Sequence, residues 1–81
     1  MVNLDGFVVD INTHNPLVNA VVTVNEFTLT TNGNGKFIVS LPTANYSVTI
    51  SRLGYSTQTF PVLLTENSKV LFQLVPMVGL L

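Results

Sequence analysis

His14 is the single histidine of this 81-residue chain, and Asp5, Asp10, Glu26 and Glu66 are its only carboxylate side chains. A general base needs a nucleophile or an orienting carboxylate within hydrogen-bond reach. Asp10 is the one carboxylate near His14 in sequence, across a loop of Asn and Thr. That spacing suits a polar loop at least as well as a catalytic pair. A structural zinc site needs about four ligands, and one histidine without cysteine does not supply them. Calcium takes roughly six to eight oxygens. Asp10 and Asn12 offer a start, but the four acidic residues lie in four separate segments. Tyr46 and Tyr55 are the remaining candidates, as aromatic platforms for a sugar or peptide. Tyr46 reads as a core residue whose hydroxyl reaches a turn, and Tyr55, after Gly54, reads as exposed. Asn45-Tyr46-Ser47 has the form of a glycosylation acceptor. No catalytic, cofactor-binding or metal-binding residue is assigned, and no enzyme is expected.

Composition agrees. Charged residues make up 9% of the chain, against about 25% in a typical globular domain. Asn, Thr and Ser take their place. Lys36, Arg52 and Lys69 are the only basic residues and are scattered, whereas phosphate backbones demand clustered positive charge. Nucleic acid is therefore excluded as a partner. Apolar runs are far shorter than the roughly 20 residues of a membrane span. Without cysteine there is no disulfide or thiolate chemistry. The first residues lack the basic and apolar regions of a secretory leader. The expectation is a protein exported by no cleaved signal, or an excised segment of a longer chain.

Hydrophobic residues recur with the period of two that marks half-buried strands. The predicted strands span residues 5–11, 19–26, 28–31, 36–41, 46–52, 58–64 and 69–75. Expected inward sets are Phe7, Val9 and Ile11; Ala20, Val22 and Val24; Phe27 and Leu29; Phe37, Val39 and Leu41; Tyr46, Val48 and Ile50; and Val70, Phe72 and Leu74. Thr31-Asn32-Gly33-Asn34-Gly35-Lys36-Phe37 carries two Asn-Gly pairs and predicts a hairpin, because Asn-Gly tolerates the positive φ of a tight turn. Pro61 lacks a ladder donor and marks residues 58–64 as an edge strand. The expectation is a small all-β, seven-stranded Greek-key sandwich, one domain over residues 1–76 with an apolar tail at 77–81.

Several of these segments resemble the carboxypeptidase regulatory-like domains, which have a prealbumin-like (transthyretin-like) sandwich. Gly6-Phe7-Val8-Val9-Asp10 is similar to the family's opening glycine, strand and acidic residue. Pro16-Leu17 followed by Ala20-Val21-Val22 resembles its Pro-Leu-x-Gly-Ala-x-Val segment, with Asn19 in place of the usual Gly. Residues 31–37 resemble its Thr-x-x-Asp/Asn-Gly-x-Phe turn. Leu41-Pro42-Thr43-Ala44-Asn45-Tyr46 resembles its Leu-Pro-x-Gly-x-Tyr, with Ala44 for Gly. Gly54-Tyr55, Leu74 and Pro76 match its later positions. The resemblance implies a module without catalytic residues, found on peptidases, surface proteins, outer-membrane receptors and viral proteins. A neighbouring family of adhesin repeats forms a Lys–Asn cross-link from a first-strand lysine, and the first strand here has none.

Apolar residues also fall on faces that alternation turns outward: Val8, Val21, Ile38, Leu63, Leu71 and Val75. A contiguous exposed patch marks an interface. The expected contact residues are Val8, Ile38 and Leu71, with Tyr55 and the tail residues Val78, Leu80 and Leu81. Expected partners are other domains of a longer chain or copies of the same domain. The leading reading is a structural spacer, stalk, decoration or subunit-contact module of a cell surface, extracellular assembly or virion. The alternatives are a glycan- or protein-binding module, using Tyr55, Phe27 or His14 at one end, and an accessory domain of a peptidase outside this chain.

Overall fold

A computed structural model describes residues 1–77, among which seven strands form two sheets. They are β1 (Val2–Asp10), β2 (Val21–Val24), β3 (Phe27–Thr30), β4 (Lys36–Leu41), β5 (Ala44–Ser51), β6 (Gln58–Leu64) and β7 (Ser68–Leu74). One sheet has the order β4-β1-β7 and the other β3-β2-β5-β6. This is the small all-β sandwich that the alternation predicts. The pairs are antiparallel except β1 with β7, which run parallel from Leu4 opposite Ser68 to Asp10 opposite Leu74. β6 is an edge strand, as Pro61 requires.

The core is the sum of the inward sets. Ala20, Val22, Val24, Val48, Ile50, Leu64 and Leu74 are fully buried, with Leu4, Val8, Leu41 and Phe72 beside them. Tyr46 is buried and its hydroxyl donates to the Pro42 carbonyl at 2.6 Å, the turn contact expected of it. Thr31 is buried as well. Its hydroxyl accepts from the Ala20 amide at 2.9 Å and donates to the Leu17 carbonyl at 2.6 Å. Asn19, which replaces the glycine of the resembled segment, stands at φ 61°, and Asn is among the few residues that tolerate this region.

Three expectations are corrected. The first strand has the opposite phase: Leu4, Gly6 and Val8 face the core, Phe7 is half-buried and Ile11 is exposed. Val8 is therefore a core residue with no exposed surface, not a contact residue. Gly6 decides the phase, because the Phe37 ring opposite it fills the place of its missing side chain. Val9 and Asp10 are also buried, next to the 11–19 loop that pairs Pro16 with Val9.

Second, the turn at residues 32–35 does not join paired strands. β3 and β4 belong to different sheets. The turn closes on itself: the Asn32 amide donates to the Lys36 carbonyl at 2.9 Å, and Asn32 Oδ1 accepts from the amides of Asn34 at 2.9 Å and Lys36 at 3.1 Å. Gly35, at φ 72°, brings its carbonyl to the Val8 amide at 2.8 Å. The Asn-Gly chemistry specifies a reversal here, and the reversal is a corner between sheets. The tight two-residue hairpin lies at Asn25-Glu26, between Val24 and Phe27, with Asn25 at φ 52°. Third, Phe27 sits beside that turn on an edge strand and is half exposed rather than core.

Candidate functional site

Asp10 and Tyr55, two of the residues that chemistry would draw on, are engaged in holding one end of the sandwich together. Asp10 ends β1 where the chain leaves the sheet. Its Oδ1 accepts from the amides of Asn12 at 2.7 Å and Thr13 at 3.1 Å, and its Oδ2 accepts from the Tyr55 hydroxyl at 2.6 Å. Asp10 thus caps the 11–19 loop and ties it to the β5–β6 loop. Tyr55 is held from both sides. Arg52 lies over its ring at 5.9 Å, while Arg52 Nε donates to the Val18 carbonyl at 3.0 Å. Backbone contacts add Ser56 N–H to the Val75 carbonyl and Met77 N–H to the Gly54 carbonyl, each at 2.9 Å.

This arrangement answers the sequence candidates one by one. His14 is exposed, and its contact with Asp10 is through the backbone: the His14 amide donates to the Asp10 carbonyl at 2.9 Å. The Asp10 carboxylate faces hydrogen-bond donors, which is the wrong company for a cation ligand. Among the described residues there is no group of three His, Cys, Asp or Glu side chains able to hold a metal ion. Tyr55 is half-buried with its hydroxyl occupied, so it is no free aromatic platform. The Asp10–Tyr55 pairing was not visible in the sequence, because 45 positions separate the two.

The hydrogen bond from Tyr55, then those from Asn12 and Thr13, hold the Asp10 carboxyl below the usual carboxylate range. The same bond to Asp10 pushes the Tyr55 phenol up. A depressed acid stabilises the fold above its ordinary pKa, and that contribution is lost as pH falls through the depressed value. A raised phenol stabilises it below its ordinary pKa and loses its share as pH rises through the raised value. The tie is therefore intact from about pH 4 to about pH 10. Tyr55→Phe is expected to lower Tm at neutral pH by a few degrees and to flatten the acid limb of the Tm–pH curve. Thermal melts of both proteins across the acid range check this, and parallel acid limbs would count against the tie.

The outer face of the β4-β1-β7 sheet is the other candidate. Register places Lys36, Phe7 and Leu71 in one row across it, and Ile38, Asp5 and Lys69 in the next. Ile38 and Leu71 are 62% and 55% exposed, as the alternation predicts. Lys36 lies over the Phe7 ring at 5.9 Å. Shallow open grooves flank Asp5 on this face. Both lysines of the chain thus border one apolar strip. The corrected phase of β1 is what adds Phe7 to it. The tail positions Val78, Leu80 and Leu81 lie outside the described residues.

A family model for the carboxypeptidase regulatory-like domain matches residues 3–75. The chain belongs to that family. A carboxypeptidase regulatory-like domain is typed as a non-catalytic module. No curated protein matches it in a direct sequence search. Among solved structures, the domain is similar to a chain of a type II cohesin–X–dockerin complex from Acetivibrio cellulolyticus, with a TM-score of 0.73 and 18% identity. That match covers 89% of this chain and 53% of the other, so the domain spans about half of that relative. The 5-hydroxyisourate hydrolase of Klebsiella pneumoniae is similar with a TM-score of 0.74 and 20% identity, over 96% of this chain and 93% of that one. The Bacillus anthracis TIE protein matches with a TM-score of 0.71 and 21% identity, over 93% of this domain but 16% of its own chain. At these identities the likeness is one of fold: an enzyme and chains of much greater length share it.

Proposed function

We propose that this carboxypeptidase regulatory-like domain is a non-catalytic spacer, set in line between other domains of a longer chain or copies of itself. The observation that carries the reading is the parallel pairing of β1 with β7. Two parallel neighbours put the entry of the first strand and the exit of the last at opposite ends. The domain measures 46 × 20 × 18 Å. β1, nine residues long, spans about 26 to 30 Å at ~3.3 Å per residue. That exceeds either short dimension, so the strands follow the long axis. The outer face bearing Phe7, Ile38 and Leu71 runs along the long axis and is the proposed surface for lateral contact with a separate chain rather than with the next domain in line, and the scarcity of charge permits close association. An extracellular or cell-surface setting is proposed, with a virion as the alternative. The Acetivibrio structure, a complex of partner proteins, and the partial coverage of the TIE protein favour a module within larger assemblies. A glycan- or protein-binding role loses support from the engagement of Tyr55. A role beside a peptidase depends on the parent chain.

Two scattering experiments test the two parts. Two copies joined in tandem are expected to be longer than one copy by about the 46 Å long axis. Side-by-side packing of the two joined copies within one tandem would sink the in-line reading. Light scattering on the single domain, with and without residues 76–81, reads association. Ile38→Lys with Leu71→Lys is expected to abolish it, and a monomer in every case would remove the contact face from the proposal.

A further inference from the structure

We propose that β1 and β7 form a load-bearing clamp, so that the domain resists tension applied through its ends far better than tension applied elsewhere. This rests on the in-line reading and gives it a mechanical role. Tension would draw β1 toward its own start and β7 toward its own end. The strands are parallel and paired over seven positions, from Leu4–Ser68 to Asp10–Leu74. They must therefore slide past each other along their length. In that geometry the bonds of the ladder share the load and yield together. If the strands were pulled apart from one end, the bonds would break in turn, each alone.

Packing opposes the slide as well. Leu4 and Val8 of β1 and Phe72 and Leu74 of β7 are buried in the same core. A slip of one residue presents the opposite face of a strand to the core. Relief therefore requires a slip of two residues, about 7 Å, with apolar side chains displaced on the way. Both loaded ends are also fastened. The Asn3 amide donates to Asn67 Oδ1 at 2.8 Å beside the start of β7. Beyond β7, the Ser56–Val75 and Met77–Gly54 bonds hold the exit against the β5–β6 loop. These last two peel first and deliver the load to the clamp. The β1–β4 pair lacks this property. It is antiparallel, with Val2 opposite Leu41. A pull between the start of β1 and the turn after β4 opens it from that end.

The test pulls the same domain in two directions by single-molecule force spectroscopy. One attachment is the N-terminus in both cases. The second is the C-terminus, or a thiol introduced by Thr43→Cys, an exposed position in a chain with no cysteine of its own. Forced unfolding reads the unfolding rate, so both directions are measured at one loading rate. The expected result is an unfolding force at least about twofold higher through the two termini. The Thr43→Cys protein pulled through its termini should match the unsubstituted protein, which shows that direction and not stability sets the difference. Equal forces in the two directions, or a lower force through the termini, would overturn the clamp. The in-line reading is tested by the length of the tandem and stands or falls separately.

Discussion

Gly6→Val is expected to cost about 3 kcal/mol or more, which for a domain of this size is a large share of a total of roughly 5–15 kcal/mol. Gly6 lies in the middle strand of its sheet with ordinary backbone angles, so left-handed strain is not the cause. The cause is space. A Cβ built on Gly6 would come within 2.2 Å of the Phe37 ring. An exposed aromatic would swing aside, but Phe37 is buried and stacked on Phe72 with centroids 5.8 Å apart. Overfilling a close-packed core costs ~1–3 kcal/mol even for small additions. Gly6→Ala should therefore sit in that range, although alanine is otherwise the better strand residue. Paired with Phe37→Leu, Gly6→Ala should cost less than the sum of the two single changes, because the smaller side chain vacates the contested volume. Gly33→Ala is the control: nothing lies within 4 Å of a Cβ there, and a change within about 0.5 kcal/mol is expected. Urea midpoints of the five variants and the parent check the set. A Gly6→Val protein as stable as the parent would mean that the ring does not cover the glycine.

That one contact also explains where reading the sequence succeeded and failed. Tyr46, Val48 and Ile50 alternate with Ser47, Thr49 and Ser51, so only one phase buries the apolar set. The first strand offers no such contrast. Leu4, Phe7, Val8, Val9 and Ile11 provide apolar residues on both faces, and its inward Gly6 has no side chain to count. The phase is set by Phe37, 31 positions away in sequence and opposite Gly6 in space. Turn residues have the same limit. Asn32 and Gly35 specify that the chain reverses, but which strand receives β4 is decided by the Gly35–Val8 bond and the packing below it. The family segments were legible because they are turn and cap chemistry in a fixed order. The Asp10–Tyr55 tie joins two of those segments, and neither names the other. Ile38 and Leu71 were legible as outward because each sits in a strand whose inward set is unambiguous.

Phe72→Ala is expected to cost about 3–5 kcal/mol, the range for deleting a buried aromatic. Phe72 is 1% exposed, and its ring is shared between the layers. It stacks on Phe37 of β4 within its own sheet at 5.8 Å and meets Phe60 of β6 in the other sheet at 5.1 Å, tilted by 59°. Truncation removes both aromatic contacts and leaves a void between sheets whose backbones are fixed by their ladders, so little collapse can fill it. Phe72→Leu keeps most of the volume and should cost less than half as much. The neighbouring Leu71→Ala, on the outer face, should stay within about 0.5 kcal/mol. The urea midpoint should fall with an unchanged slope, since the surface exposed on unfolding barely alters. The contrast between adjacent residues is the sharper part of the measurement. Comparable losses at positions 71 and 72 would mean that the outer face of β7 is as deeply packed as the inner one, and the contact surface proposed for Ile38 and Leu71 would go with it. A large loss at 72 alone places the anchor of the two sheets on the strand that carries the tension. Phe72→Ala should then also lower the force needed to unfold the domain through its termini.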